Sequence, residues 1–283
     1  MTFLEKLREA MNANNSYVCV GLDSDYDKLP QEVRSSKDPQ GLFNKQIIEA
    51  TQRHVSAYKI NIAFYECRGA EGWRSLENTI KAIPGQIPVI IDAKRGDIGS
   101  TSAKYAQAVY EHLRADAVTV NPYLGFDSIE PFLKYPDKCA FVLCHTSNQS
   151  AEEFQHQRVL SQESKGKFKS YRSTQAPRLF EVVAQRVREW NRRGSCGLVV
   201  GANVPEHLTH IMELAPGLPL LIPGIGAQKG SAKEVVSRLK GADFIINSSR
   251  AIIFASSGDD FVEAAVKQTI ALKEIINDIL SYS

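Results

Sequence analysis

Apolar residues in this chain gather into short dense runs separated by longer amphipathic stretches. Eight runs stand out: Tyr17–Leu22, Ala57–Ile60, Pro88–Ile91, Ala117–Val120, Ala140–Cys144, Gly197–Gly201, Leu220–Ile222 and Phe244–Ile246. They are rich in β-branched residues and lack strict alternation. That pattern predicts strands buried on both faces, as in a parallel sheet. Between the runs, apolar residues recur at helical spacing. Leu42, Phe43, Ile47 and Ile48 share one face, as do Leu179, Val182, Val183, Val187 and Trp190, and Leu272, Ile275, Ile276, Ile279 and Leu280. Thr2–Asn14 reads as a further helix ahead of the first strand, placed to plug the bottom of a barrel.

Eight strand–helix units in 283 residues predict one (β/α)8 TIM barrel over 1–283, a fold typically of ~250 residues. A doubly wound open sheet is the alternative architecture. One interval, between the fifth and sixth runs, is much longer than the rest. It holds the polar, Gln/Ser/Lys-rich stretch Asn148–Tyr171 and predicts an inserted loop after the fifth strand.

Composition narrows the function classes. A 43% hydrophobic content is enough for a core and excludes wholesale disorder. Thirty-four Lys and Arg against 32 Asp and Glu leave a net charge of +2, with no footprint for nucleic acid or an anionic membrane surface. No apolar stretch approaches the ~20 residues of a membrane span. The first residues, Met-Thr-Phe-Leu-Glu-Lys-Leu-Arg, read as an amphipathic helix and not a secretory signal. Five cysteines, odd in number and without a C-x-x-C pair, point to a reducing compartment and buried thiols, with neither a disulfide framework nor a zinc site. A cytoplasmic location is expected.

Active sites of such barrels lie at the C-terminal strand ends. The polar residues there include Asp23, Lys59, Asn61, Asn121, His145 to Asn148, and Asn203. The strongest cluster is Asp92-x-Lys94-x-x-Asp97. Asp92 and Lys94 share one face of an extended strand end, and Lys59 sits on the neighbouring strand. Lys59, Asp92, Lys94 and Asp97 are then expected to crowd one pocket. Desolvated charges are costly unless paired, so such a cluster suits a functional site. The second cluster is Pro223-Gly224-Ile225-Gly226-Ala227-Gln228-Lys229-Gly230, whose glycines let backbone amides approach an anion. Ser248-Ser249-Arg250 follows the eighth run, and Arg250 offers a bidentate fork to a phosphate. Loops after the seventh and eighth strands are the usual phosphate site of the fold.

The segment Asp92-Ala93-Lys94-Arg95-Gly96-Asp97-Ile98-Gly99-Ser100-Thr101 resembles the signature of the orotidine 5′-phosphate decarboxylase family. Gly21-Leu22-Asp23, Lys59-Ile60-Asn61, Pro223-Gly224-Ile225-Gly226 and Asn247-Ser248-Ser249-Arg250 match in order. The length and the Lys59–Glu66 stretch are similar to the longer bacterial branch. The resemblance implies a homodimeric barrel converting orotidine 5′-monophosphate to uridine 5′-monophosphate and carbon dioxide, the last step of de novo pyrimidine synthesis, without metal or organic cofactor. It implies Lys94 as the proton donor to C6, Asp92 beside the departing carboxylate, and Lys59 linking Asp92 to the ribose. Asp97 and Thr101 would reach the partner subunit's site. Asp23 would bind a ribose hydroxyl, Ser147 (or Thr146 or Asn148) the pyrimidine amide, and Gln228 and Arg250 the phosphate, with Gly226 and Ser249 beside them. His145 receives no role and reads as structural, and Cys144 as a buried thiol. The rival readings are a magnesium-dependent 3-keto-6-phosphogulonate decarboxylase or hexulose-phosphate synthase, and a non-catalytic nucleotide-binding protein.

Overall fold

The computed structural model describes residues 1–159, 176–192, 194–225 and 229–281, the last segment without the side chains of 229–231. Eight strands form: β1 (Val18–Gly21), β2 (Ala57–Asn61), β3 (Val89–Arg95), β4 (Ala117–Val120), β5 (Cys139–His145), β6 (Cys196–Val200), β7 (Leu220–Pro223) and β8 (Phe244–Ser248). Each pairs in parallel with the next. β8 pairs back onto β1 through Val18↔Ile246, Cys19↔Asn247 and Val20↔Ser248, so the sheet is a closed barrel and the open alternative fails.

The outer helices follow the apolar periodicity. They include Pro39–Thr51, Gly69–Ala82, Gly99–Gln107, Phe126–Leu133, Leu179–Trp190, Pro205–Leu214, Lys229–Arg238 and Phe261–Ser281. Their starts use local signals. Asp38 caps Pro39–Thr51 by accepting from the Gly41 amide, with Pro39 in the first turn. Such helices bury one stripe against the barrel, and the strands between them are nearly fully buried.

The helix Phe3–Asn14 starts on a capping box between Thr2 and Glu5. Its Phe3, Leu7 and Met11 pack against Cys19, Ala57, Ile90, Ala117, Phe141 and Ile245, residues of the barrel interior. The N-terminal end of the barrel is thus plugged, and a cavity opens at the C-terminal strand ends. Gly21 is required where β1 approaches the chain beyond β8: a Cβ there would lie 1.9 Å from Ser249 Oγ. The Asn148–Tyr171 stretch is more than a plain loop at its start. Gln149–Ala151 and Glu152–Gln155 are short helical turns. Its remainder from residue 160 lies outside the described residues.

Candidate active site

A cavity of about 730 Å3 opens at the C-terminal ends of the strands, within the range of small-molecule sites. Leu143, Val199 and Leu221, neighbours across β5, β6 and β7, line its apolar part. Charged residues line the opposite side: Asp23 after β1, Lys59 on β2, and Asp92 and Lys94 on β3.

These four form one connected array. Lys59 Nζ lies 2.9 Å from Asp92 Oδ2 and 3.5 Å from Asp23 Oδ1. Lys94 Nζ lies 2.7 Å from Asp92 Oδ1. Thr119 Oγ1 donates to the same Asp92 oxygen at 2.8 Å and accepts from the Lys94 amide at 3.0 Å. Asp23 Oδ1 also accepts from the Asn61 amide at 3.3 Å. Burial of Lys59 opposes its positive charge, but Asp23 and Asp92 outweigh it and hold its pKa above the usual lysine range. Burial likewise opposes the Asp92 carboxylate. Lys59 and Lys94 overcome that and push its pKa well below the usual range. Both stay ionised at neutral pH.

The end of β3 is not the plain extended strand expected from alternation. Lys94 has φ +47°, in the left-handed region, and the β3–β4 register shifts between Ile91 and Arg95. That conformation is uncommon for a residue with a side chain and marks strain held by its surroundings. Here the Thr119 hydrogen bond and the Asn121 amide, which donates to Arg95 O at 2.7 Å, hold it in place.

Asp97 does not join the array. Its Oδ1 accepts from the neighbouring Ile98 amide at 2.7 Å, and neither Asp97 nor Thr101, on helix Gly99–Gln107, lines this cavity. Beyond Arg95, Gly96 passes so close to Asn121 that a Cβ would sit 2.8 Å from Asn121 O. The chain then turns outward through the exposed Ile98. The fourth member of the quartet in this chain is Asp23.

After β5, Thr146, Ser147 and Asn148 all line the cavity. The Thr146 hydroxyl donates to Asn148 Oδ1 at 2.6 Å and accepts from Gln155 Nε2 at 2.7 Å, while its amide donates to Gln155 Oε1 at 2.8 Å. Ser147 Oγ and Asn148 Nδ2 make no hydrogen bond among the described residues, so both are open to a ligand. Asn203 acts locally, donating to Ser147 O at 3.4 Å. The wall at β7 and β8 is made by Gly224, Ile225, Asn247, Ser248, Ser249 and Arg250. Gly224 has φ +99°, a turn that favours glycine. Gly226 and Gln228 lie outside the described residues. Arg250 is exposed at the cavity rim.

His145 is buried, and burial lowers its pKa to about 4, which removes it as a charged acid at neutral pH. Cys144 is a buried thiol donating to Phe180 O, with its pKa pushed up to about 12 by desolvation. Asn121 caps its own loop by accepting from the Tyr123 amide. Glu66 pairs with Arg95.

Residues 16–265 match the sequence family described as "Orotidine 5'-phosphate decarboxylase / HUMPS family". The chain belongs to that family. Curated relatives place it among the decarboxylases. Orotidine 5'-phosphate decarboxylase of Herpetosiphon aurantiacus is 45% identical over 267 residues, covering 94% of each chain. That of Dehalococcoides mccartyi is 45% identical over 280 residues, covering 98% of each. The solved structure of Leishmania donovani OMP decarboxylase superposes with a TM-score of 0.82 at 38% identity, covering all of both chains. Orotidine 5′-monophosphate decarboxylation in pyrimidine biosynthesis is therefore the supported activity, and the magnesium-dependent sugar-phosphate reaction is not favoured.

Within this decarboxylase-family barrel two polar cavity residues escape sequence reading. Thr119 lies inside the run Ala117–Val120, where a threonine reads as an ordinary strand former. Only its position beside β3 reveals it as the clamp on Asp92. Gln155 sits in a polar stretch without periodicity, and nothing local signals that it clasps Thr146.

Proposed function

We propose that the cavity binds orotidine 5′-monophosphate with C6 of the pyrimidine beside Lys94 and the phosphate against Gly224 and Arg250. The observation that carries this reading is the Lys94 ammonium fixed at 2.7 Å from Asp92 Oδ1 on the wall of a cavity whose rim holds Arg250. Loss of carbon dioxide from C6 leaves an electron pair in an sp² orbital with no adjacent sink. A fixed cation must stabilise it directly. In the step proposed, the bond from C6 to the carboxylate carbon breaks and its electron pair stays on C6. A proton passes from Lys94 Nζ to C6, and carbon dioxide leaves neutral. Solvent then restores the Lys94 proton.

Asp92 serves twice. It orients Lys94, and its charge disfavours a second carboxylate in the pocket. Two such charges ~4 Å apart at an effective dielectric near 20 repel by about 4 kcal/mol. That repulsion disappears as carbon dioxide forms. Lys59, anchored on Asp92 and Asp23, keeps Asp92 ionised and faces the ribose, to whose hydroxyls Asp23 offers an acceptor. Ser147 is assigned to the pyrimidine amide.

The working protein is proposed to be a cytoplasmic homodimer with shared sites, acting on a small nucleotide and engaging neither nucleic acid nor membrane. Asp97 and Thr101 are assigned to the partner's cavity. In support, neither lines its own chain's cavity, and Ile98 (64% exposed), Tyr123 (81%) and Leu124 (49%) leave exposed apolar surface that a second copy would cover. Among the described residues no helix is long and apolar enough to cross a membrane. The test is the loss of ultraviolet absorbance as orotidine 5′-monophosphate is consumed, with a chelator present. Undiminished turnover supports the reading. Turnover abolished by the chelator and restored by magnesium would reinstate the sugar-phosphate type of chemistry.

A further inference from the structure

Three imidazoles that the decarboxylation does not use converge beside the cavity. His145 ends β5, His156 follows the turn Glu152–Gln155, and His207 lies on helix Pro205–Leu214. One ring nitrogen of each lies within 4.8 Å of the other two. The ring centroids are 5.0, 5.4 and 5.6 Å apart. Phe180 packs against all three rings. His145 is buried and the other two half-buried. None lines the nucleotide cavity.

We propose that these residues form a binding site for one divalent transition-metal ion of the zinc class. Imidazole nitrogen is a borderline ligand that suits zinc, cobalt, nickel or copper, whereas magnesium and calcium prefer oxygen. Three side chains brought together from separate elements match the three-ligand set of an open tetrahedral site, whose fourth position water would take. His145 is oriented for this. Its Nδ1 lies 3.3 Å from Thr146 O, an outer partner that places the proton on Nδ1 and leaves Nε2 as a ligand. Its Nε2 lies 2.8 Å from His156 Nε2, so in this arrangement the two nitrogens share one hydrogen bond. Metal–nitrogen bonds of about 2.0–2.1 Å in tetrahedral geometry need ligand nitrogens about 3.3–3.4 Å apart. His145 and His156 must part by about half an ångström. Arg178 Nη1, 3.4 Å from His207 Nε2, is the cation facing the cluster, and Glu206 Oε1 opposes it at 3.7 Å from the same nitrogen.

The ion would act structurally. It would tie β5 to helix Pro205–Leu214 through the segment that carries Gln155, and so secure the clasp of Gln155 on Thr146 at the cavity wall. The three positions follow no local metal motif, which is why the sequence does not announce them.

The test strips the full chain with chelator and titrates it with Co2+ and then Zn2+, reading bound metal and the visible spectrum. The expected result is one equivalent per chain, an intense tetrahedral Co2+ absorption displaced by Zn2+, and a thermal midpoint raised by Zn2+. His156→Ala and His207→Gln should each lose the spectrum and weaken Zn2+ by more than about a hundredfold, beyond the 10- to 100-fold of outer-shell changes. His112→Ala, at an exposed ring elsewhere, should bind normally. Melting of the metal-free variants verifies that they fold. No stoichiometric uptake, or uptake that survives both cluster variants, would overturn the site and leave a hydrogen-bonded stack of rings. The readout is bound metal, so it stands apart from the catalytic assignment.

Discussion

Thr119 Oγ1 donates to Asp92 Oδ1 at 2.8 Å, the same oxygen that holds the Lys94 ammonium at 2.7 Å. The same hydroxyl accepts from the Lys94 amide at 3.0 Å. One β4 side chain therefore fixes both the carboxylate and the left-handed backbone that presents the lysine. Thr119→Val keeps the shape and deletes both hydrogen bonds. Leaving Asp92 one partner short costs about 1–3 kcal/mol. As a positioning change it should lower kcat by about ten- to a hundredfold with KM nearly unchanged. Steady-state kinetics checks this; a rise in KM alone would place Thr119 in substrate binding instead.

Lys59 is buried between two carboxylates. Lys59→Met leaves Asp23 and Asp92 without their shared cation, and breaking a buried pair in this way costs about 3–5 kcal/mol. Urea unfolding should report that loss together with lower turnover. A variant as stable as the parent would mean that the array carries no net ionic stabilisation.

The array also sets a pH window. The folded pKa of Asp92 is depressed, so its contribution to stability is present above the unfolded value of about 3.9 and is lost as pH falls through the folded value. That of Lys59 is raised, so its contribution is present below about 10.4 and is lost as pH rises through the folded value. The stability gap between the parent and Asp92→Asn should be flat from about pH 5 to 9 and narrow below about pH 4. A gap that changes steadily across neutral pH would contradict the paired geometry.

Much of this was legible in the sequence. Dense runs such as Ala117–Val120 and Leu220–Ile222 become strands because only a doubly covered parallel sheet buries both faces of such a segment. The plug helix shows in the spacing of Phe3, Leu7 and Met11. The pairing of Lys59, Asp92 and Lys94 follows from their positions at adjacent strand ends. What escaped depends on backbone detail. The outward turn after Arg95 takes Asp97 away from the others, and Asp23 takes its place because Lys59 spans to β1. Neither alternation nor composition encodes the left-handed Lys94.

Arg250 stands at the cavity rim after β8, the strand next to β1. Arg250→Ala should raise KM for the nucleotide by about ten- to a hundredfold, the equivalent of 1.5–3 kcal/mol for a charged hydrogen bond. Turnover of orotidine, which lacks the phosphate, should not change. Equal losses on both substrates would remove Arg250 from the phosphate site.

Shared sites predict complementation. Mixtures of Lys94→Ala and Asp97→Ala subunits should regain activity, because a hybrid dimer holds one site with both residues intact. Recovery should appear as subunits exchange, with a limit of about a quarter of the parental activity at equal mixing, from one intact site in half of the dimers. Exchange shown by mass spectrometry without recovered activity would confine both residues to one chain's site.

The most direct measurement is the rate of orotidine 5′-monophosphate decarboxylation by Lys94→Ala. The Lys94 side chain is 51% exposed, and Asp92 keeps Lys59 and Thr119 as partners without it, so the variant should fold normally. With the proton donor and the fixed cation both gone, turnover should fall by at least about 10⁴-fold. A folded variant that turns over within about tenfold of the parent would contradict the role of the ammonium.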